Sequence, residues 1–475
     1  MNNYRYLSIV SILAALSAIL NINAISTATG ILCAKYALSP SETSLATSIY
    51  LTAEIMAIPL LAALISKSSG VSVLKASAFG FLLSSFMCAF ADNYNAFLYS
   101  RAAQGFFSGL LIPLPYYFLA KIENEKEKVQ YLTIFSLLGG LAPIIGPMIT
   151  TIITTKTFPL LFITPSFLAI PAFLINGNLR EGGDKADKNW SLGGGLLLFV
   201  FVFSVGIFIW NIEHGQKVGW WTSGIFSISI LSSALAMLLA VTVSFKTRNK
   251  LLPFYLLKNK TTALIMFSAF ANGLAIYGFL FIIPYYLFTV YSYSPNEVFK
   301  VLLYSAIPQI FLIFLSIKIR KYISASLMLS FGFLSISGAC YYYATMGLGF
   351  EGELLLEPQL LRAIGVSLAV PALSLYLMLN TVGKEGEDTT LFSLFRSLGG
   401  AIGVAVITSF VNTRRAIHFD SLQTHHATLN KTLHEKVSWI YAFNEAFFII
   451  GFVMVGLVVI FSFIAIKSPS KSKGA

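Results

Sequence analysis

Fourteen apolar segments follow one another along this chain, separated by short stretches rich in charged or turn-forming residues. A helix crosses the hydrocarbon core of a bilayer with about 20 apolar residues. The pattern therefore predicts an all-α membrane protein with fourteen transmembrane helices. The segments cover residues 8–33, 45–66, 72–91, 96–120, 130–153, 158–177, 192–211, 220–244, 261–290, 298–317, 323–346, 356–380, 390–412 and 438–466.

The composition agrees with this interpretation. Of the 475 residues, 56% are hydrophobic and 11% are charged, whereas soluble domains carry about 25% charged residues. Soluble, disordered, collagenous and coiled-coil classes are thereby excluded. The net charge of +12 does not require a nucleic-acid partner, because basic residues collect in the cytoplasmic loops of membrane proteins. The three cysteines are too few and too widely spaced for a disulfide framework or a zinc site.

The basic residues also predict an orientation. With a cytoplasmic N-terminus, 21 of the 32 Lys and Arg residues lie in cytoplasmic segments, 8 lie outside and 3 lie within spans. This bias predicts that both termini are cytoplasmic and that the chain spans the cytoplasmic membrane many times. The first apolar segment is too long for a signal-peptide core and is interpreted as an uncleaved span.

A weak internal repeat divides the chain. Phe-Ser-Leu at 135–137 recurs at 392–394, and Arg-Ala at 101–102 recurs at 362–363. The two offsets, 257 and 261 residues, predict two six-helix bundles with two further helices inserted between them. The predicted units are an N-terminal bundle at 1–178, a linker with the two inserted helices at 179–250, and a C-terminal bundle at 251–475.

Ionisable residues within spans are costly and usually functional. The candidates here are Glu54, Arg101, Arg362, Arg396 and Glu445. A carboxylate in a low-dielectric cavity can bind and release a proton near neutral pH. Glu54 is therefore a candidate proton or substrate site, with a structural partner of a nearby polar group as the alternative, whereas Glu445 lies near an interface and favours a structural role.

Small residues and prolines mark two of the spans. Gly105 and Gly109 form a GxxxG pattern, which lets helices approach closely. The fifth span carries Pro143, Gly146 and Pro147, and proline kinks a helix and removes a backbone donor. These positions are predicted to shape helix seams.

Histidines cluster in the segment between the last two spans. Their spacing fits no metal-binding signature, so this segment is predicted to be a solvated loop, and neither a metal nor a cofactor is predicted. The residues are His418, His425, His426 and His434.

Several motifs resemble the fourteen-helix drug/proton antiporter branch of the major facilitator superfamily, of the EmrB/QacA type. RAAQG at 101–105 resembles the fourth-helix R-x-x-Q-G motif, and APIIGP at 142–147 resembles the antiporter motif of the fifth helix. EHGQKVGW at 213–220 resembles the loop between the inserted helices. RSLGGAIG at 396–403 resembles the thirteenth helix. The resemblance implies the major facilitator fold, and it implies helix-packing roles for Arg396, Gly400 and Gly403.

The sequence departs from that pattern at the usual proton relay. The family's first helix carries an Asp in L-D-x-T, where this chain has Asn21 and Asn23. The Asp is the expected partner of the motif arginine, here Arg101, which stands beside Gln104. Our hypothesis is that Glu54 has taken over the carboxylate role, with Arg101 tuning it.

The function predicted from these features is secondary active transport. The chain would export an amphipathic small molecule, drug-like or siderophore-like, against proton influx. In a cell with two membranes the resemblance implies a periplasmic adaptor and an outer-membrane channel as partners. An uncoupled facilitator or importer of a small metabolite, and a transporter-like sensor or scaffold, remain alternatives. A membrane-embedded enzyme is disfavoured because it would need clustered His, Asp or Ser at a membrane face, and the only His cluster lies in one loop without paired carboxylates.

Overall fold

All regular structure in the described part of the chain is helical. The computed structural model describes residues 2–124, 127–128, 130–131, 134–135, 138–139, 142, 145–146, 158–175, 192–215, 219, 222–247, 252–320, 322–350, 352–380, 387–425 and 431–467. Within these residues ten helices are long and apolar enough to cross a membrane, and shorter apolar helices lie at Leu45–Leu61 and Leu160–Leu174. The predicted all-α membrane fold is confirmed, and the chain is a multi-pass membrane protein.

Six helices form the N-terminal part before the fifth span. They are α1 (Asn2–Thr27), α2 (Thr29–Tyr36), α3 (Pro40–Lys67), α4 (Gly70–Ala89), α5 (Tyr94–Leu111) and α6 (Leu114–Ala120). In the fifth span the described residues between 127 and 146 are helical, and they include Gly146. Pro143 and Pro147 lie outside the described residues. The sixth span is α7 (Leu160–Ser166), which continues as a 3-10 helix over Phe167–Leu174.

The remaining helices follow the predicted order. The inserted pair is α8 (Leu192–His214) and α9 (Gly224–Thr247), and a 3-10 turn at Phe254–Lys258 precedes the second bundle. The second bundle contains α10 (Lys260–Tyr291), α11 (Pro295–Ile319), α12 (Ala325–Ala344), α13 (Leu356–Leu379), α14 (Glu387–His425) and α15 (Lys431–Lys467). A 3-10 turn at Gly352–Leu355 precedes α13.

The prediction of a solvated loop between the last two spans is wrong for most of that segment. Residues up to His425 belong to α14, and residues from Lys431 belong to α15, so His418 and His434 are helical; His426 lies outside the described residues. The apolar pattern marks where hydrophobic residues end, whereas a helix continues as long as its backbone bonds and side-chain contacts support it. With 39 and 37 residues, the two helices are about 58 and 55 Å long, well beyond a hydrocarbon core of about 30 Å.

Corresponding helices of the two bundles begin with similar capping sequences. α3 begins after Ser39, whose backbone N–H donates to Glu42 Oε2 at 2.9 Å. α11 begins after Ser294, whose N–H donates to Glu297 Oε2 at 2.7 Å. Both are Ser-Pro-x-Glu starts of the capping-box kind, in which serine and glutamate satisfy free backbone donors. The next helices, α4 and α12, are both 20 residues long and both begin after a serine cap. A duplicated helical half is expected to repeat such signals.

Glycines set the spacing between the helices that carry the polar groups. A Cβ on Gly105 would collide with the backbone oxygen of Tyr50, and one on Gly109 would collide with that of Glu54. α5 therefore lies directly against the middle of α3. Cβ atoms on Gly400 and Gly403 would meet the side chain of Tyr277 and the backbone of Leu274, so α14 lies equally close to α10.

Candidate functional site

A single carboxylate connects the two bundles. Glu54, in the middle of α3, is 0% exposed. Its Oε2 accepts a hydrogen bond from the Ser108 hydroxyl of α5 at 3.1 Å, and its Oε1 accepts one from the Ser397 hydroxyl of α14 at 2.5 Å. Ser108 belongs to the N-terminal half of the chain and Ser397 to the C-terminal half. The carboxylate is therefore held by one donor from each side.

Arg396 supplies the positive charge beside this carboxylate. Its guanidinium interacts electrostatically with Glu54, Tyr277 of α10 and Tyr116 of α6. The Arg396 Nε is buried and has no hydrogen-bond partner. The Tyr116 hydroxyl also interacts with Ser374 of α13. These side chains form what we call the central cluster: Glu54, Ser108, Tyr116, Tyr277, Ser374, Arg396 and Ser397.

The position of the central cluster follows from local sequence features. Gly109 allows α5 to approach the backbone of Glu54, which places Ser108 beside the carboxylate. A Cβ on Gly273 would collide with the Arg396 backbone oxygen, so α10 and α14 touch at that level and Tyr277 lies one turn away. Small residues thus bring the polar side chains of four helices to one point.

The arrangement is chemically suited to proton binding. An ionised carboxylate only accepts hydrogen bonds, whereas a protonated one must donate through its added hydrogen. Protonation of Glu54 would therefore require a serine hydroxyl to reorient, and it would remove the attraction between this carboxylate and Arg396. Because the donors come from both halves, a change of charge at Glu54 changes how strongly α3 and α14 hold together.

Arg101 has neutral partners only, among those that the structure describes. The side chain is 0% exposed. Its guanidinium donates to Gln104 Oε1 and, at 3.5 Å, to the backbone oxygen of Ala46, and it lies 4.2 Å from the ring centroid of Tyr50. Gln104 in turn donates to the Ser85 hydroxyl at 2.7 Å. The sequence predicts that Arg101 tunes a neighbouring carboxylate, but its described contacts on α3 are with the Ala46 carbonyl and the Tyr50 ring. Glu54 lies one turn further along α3 and is hydrogen-bonded by Ser108 and Ser397.

Asn21, at the family's aspartate position, makes its described contacts away from the central cluster. Asn21 is fully buried; its amide donates to the backbone oxygen of Ser17 at 3.2 Å and to the Ser166 hydroxyl at 3.1 Å. Asn21 thus ties α1 to α7. Asn23 lies in α1, and its side chain is outside the described residues.

A second buried arginine occupies the C-terminal bundle. Arg362 Nε donates to Gln359 Oε1 at 2.9 Å, and another guanidinium nitrogen donates to the Ser305 hydroxyl. Arg362, Gln309 and Phe279 line a cavity of about 10 Å³, which is the size of one water molecule. The sequence pointed to Arg362 as a charge within a span and as part of the repeat, but it did not indicate these partners.

Glu445 forms a local ion pair, and its structural role stays a prediction. It receives two hydrogen bonds from Arg414 and lies 3.0 Å from His418 Nε2. Arg414 and His418 belong to the C-terminal part of α14, and Glu445 belongs to the N-terminal part of α15. Within the described residues no group of three or more His, Cys, Asp or Glu side chains is placed to hold a metal ion.

Reasoning from sequence missed most of the central cluster. Ser108, Tyr116, Tyr277, Ser374 and Ser397 are ordinary residues of apolar spans, and their types carry no functional signal. Ser397 could have been noticed because it follows a charged residue within a span. The pairing of Glu54 with the thirteenth span could not be seen in the sequence, because it depends on how two distant bundles meet.

Comparisons with known proteins agree with this architecture. The chain is 26% identical over 415 residues to the colistin resistance protein EmrB of Acinetobacter baumannii, covering 84% of this chain and 79% of that protein. It is 24% identical to the probable multidrug resistance protein EmrY of Escherichia coli, covering 78% and 73%. The solved xylose transporter XylE of E. coli, in a partially occluded inward-open conformation, superposes with a TM-score of 0.60 over 100% of both chains at 11% identity. The family model of the Major Facilitator Superfamily matches residues 9–404. This chain therefore belongs to the Major Facilitator Superfamily.

Proposed function

We propose that this protein is a secondary active transporter that exports an amphipathic small molecule across the cytoplasmic membrane against proton influx. The observation that carries the proposal is the Glu54 carboxylate, fully buried and hydrogen-bonded by a serine from each half of the chain. A titratable group at that position couples protonation to the contact between the bundles. The relatives named for colistin and multidrug resistance support export of drug-like molecules.

The mechanism follows from two charge states of one residue. With Glu54 ionised, Ser397 and Arg396 hold α14 against α3 and stabilise the state described here. With Glu54 protonated, this contact weakens and the opposite arrangement gains population, because a ligand or proton shifts an equilibrium by its differential affinity for the two states. Rocking of the two bundles about the central cluster then exposes a midplane site to alternate sides. Tyr50 and Tyr277 also interact electrostatically with Glu54.

The topology and partners belong to the same proposal. The units are the N-terminal bundle at 1–178, the linker with two inserted helices at 179–250 and the C-terminal bundle at 251–475. Both termini face the cytoplasm, as the distribution of basic residues predicts. In a cell with two membranes, a periplasmic adaptor and an outer-membrane channel would carry the substrate onward.

The test uses the full chain in proteoliposomes with an imposed pH gradient. Three labelled amphipaths with one chain length and different head groups serve as substrates: decyltrimethylammonium, decyl sulfobetaine and decanesulfonate. We expect the gradient to drive transport of at least one, and Glu54→Gln to reduce that flux to near the leak rate, a drop of about a hundredfold for loss of an essential proton acceptor.

Glu353→Gln is the matched control, since it removes an exposed carboxyl group in the short turn before α13. It should leave the flux unchanged. If transport occurs for a substrate of this panel but ignores the gradient, or if Glu54→Gln transports as the wild type does, the protein is an uncoupled facilitator and the proposal is wrong.

A further inference from the structure

The spans contain more positive than negative charge. Among the described residues, Arg101 and Arg362 are buried within spans and Arg396 is partly buried, while Glu54 is the fully buried carboxylate of a span. Glu445 is neutralised locally by Arg414. A buried charge without a counter-charge is costly, and ionisable groups in membrane spans usually mark the path of a substrate. The excess of arginine therefore requires an explanation beyond helix packing.

The three arginines differ in exposure and in which bundle surrounds them. Arg101 is fully buried among Gln104, the Ala46 carbonyl and the Tyr50 ring, although its Nη2 has no hydrogen-bond partner. Arg362 donates to a glutamine and a serine within its own bundle. Neither arginine contacts the opposite bundle in its described hydrogen bonds. They are enclosed in a manner that suits fixed positive charges of the scaffold.

Arg396 is placed differently. It is partly exposed, it faces groups from both bundles, and its Nε lacks a hydrogen-bond partner in a buried position. Arg396 interacts electrostatically with the Glu54 carboxylate. The described hydrogen bonds to that carboxylate, however, come from Ser108 and Ser397. At least the Nε donor of this guanidinium is therefore available to a ligand.

The groups around Arg396 can complete an anion site. Tyr116 from the N-terminal half and Tyr277 from the C-terminal half both interact with the guanidinium, and Ser374 adds a hydroxyl beside Tyr116. Guanidinium and hydroxyl donors together bind carboxylate, sulfonate or phosphate oxygens through charge-assisted hydrogen bonds. A cationic head group would meet a positive charge instead.

Apolar surfaces for the rest of such a molecule adjoin these groups. The Tyr116 ring stacks edge-on with Phe135 of the fifth span at a centroid distance of 5.2 Å. The Tyr277 ring packs tightly against the backbone of Gly400, which fixes its position beside Arg396. Binding sites for small molecules are mostly apolar with a few polar groups that fix orientation, and this mixture is what an amphipath with one charged end requires.

We propose that Arg396, with Tyr116, Tyr277 and Ser374, binds the anionic head group of the substrate at the interface of the two bundles. The substrate class is then an amphipathic anion with a carboxylate, sulfonate or phosphate group. This inference rests on the proposed transport function.

The test measures equilibrium binding to the purified full-length protein in lipid nanodiscs, without any gradient. Labelled decanesulfonate is the probe, and decyltrimethylammonium, of the same chain length, is the competitor. We expect saturable binding of the sulfonate, little displacement by the ammonium compound, and a loss of affinity of about tenfold or more in Arg396→Gln, since hydrogen bonds to charged groups are the stronger ones. Arg396→Lys should retain part of the affinity, because it keeps the charge and loses the planar fork.

Arg320→Gln, at the end of α11 and away from the central cluster, is the control for loss of one arginine and should bind as the wild type does. If Arg396→Gln does not purify as a single species, Tyr116→Phe and Ser374→Ala provide the same readout, with expected losses of a few-fold each. Equal displacement by the ammonium compound, absence of saturable sulfonate binding, or unchanged affinity in Arg396→Gln would overturn the inference.

The two proposals fail in different ways. Gradient-driven transport of decyltrimethylammonium with no binding of the sulfonate would leave the transport proposal standing and reject the anion site. Saturable, Arg396-dependent sulfonate binding with no response of its transport to the gradient would support the anion site and reject proton coupling.

Discussion

The two bundles each bury an arginine beside a glutamine, but on opposite sides of it along the helix, and they differ in charge at one further position. In each, an arginine of the fourth helix donates to a glutamine three residues away: Arg101 to Gln104, and Arg362 to Gln359. The second span of each bundle, α3 and α11, begins with the same Ser-Pro-x-Glu sequence. Fifteen residues after the capping serine stands Glu54 in the first bundle and Gln309 in the second.

This difference concerns charge more than shape. Glutamate and glutamine have nearly the same size, and both side chains here are at most 1% exposed. Glu54 reaches across to Ser397 of the other bundle, whereas Gln309 lines the small cavity beside Arg362 within its own bundle. Duplication thus preserved the scaffold in both halves, while a titratable group at this register exists in one half only.

Exchanging the two side chains tests whether position or charge matters. We expect the double variant Glu54→Gln/Gln309→Glu to show gradient-driven flux about a hundredfold below wild type, as low as Glu54→Gln alone, because a carboxylate at 309 faces Arg362 and not the bundle interface. The measurement is flux of the best substrate in proteoliposomes under an imposed pH gradient.

The single variant Gln309→Glu completes this comparison. It retains Glu54, so its flux should stay within about threefold of the wild type, the new carboxylate being paired with Arg362. Restoration of coupled transport in the double variant would show that the two halves are interchangeable and that Ser397 and Arg396 are not required.

The second prediction concerns the glycines that seat the fourth helix of each half. Gly105 lies against the backbone of Tyr50 in the second helix of its bundle, whereas Gly365 lies against Gly332 and Ile336 in the third helix of the other. Leucine at either position forces backbones apart and should destabilise the protein by about 1–3 kcal/mol. Thermal unfolding in detergent measures this, with Gly456→Leu, a position that faces open space, as the unchanged control.

Only the N-terminal variant should also impair transport beyond its effect on stability. Gly105 lies against the part of α3 that carries Glu54, whereas Gly365 contacts α12, which contributes no residue to the central cluster, and lies about two and a half turns from Ser374, the one residue that α13 contributes. Equal losses of flux in Gly105→Leu and Gly365→Leu, at matched folded concentration, would argue against this distinction.

The smallest effect is predicted at the shared helix starts. Ser39→Ala and Ser294→Ala each remove a capping hydroxyl that contacts the glutamate three residues on, and each should cost about 1 kcal/mol of stability. Because the caps are equivalent, their losses should agree within about 0.5 kcal/mol and should add in the double variant. Denaturation midpoints of the two single variants and the double variant measure these losses. A clear difference between the two single variants would show that the matching helix starts do not contribute equally to stability.

The fold could be predicted because it depends on regular patterns. Apolar segment length identified the spans, and the recurring Arg-Ala and Phe-Ser-Leu motifs indicated the duplication. The same pattern failed at the ends of α14 and α15, where polar residues continue the helices. Glu54 could be selected because charge is rare in a span, but its partner Ser397 lies 343 residues away, and no local feature of the sequence encodes that contact.

One helix extends from the central cluster to well beyond the hydrocarbon core of the membrane. α14 runs unbroken from Glu387 to His425, so Arg396 and Ser397 near its start and Asp420 near its end move as one rod. The distance from Ser397 to Asp420 is about 35 Å, and a tilt of about five degrees at the carboxylate contact displaces the far tip by about 3 Å. A small tilt at the carboxylate contact is therefore amplified at the far end of α14. A spin label or fluorophore near Asp420 would report the movement of the helix without occupying the substrate site.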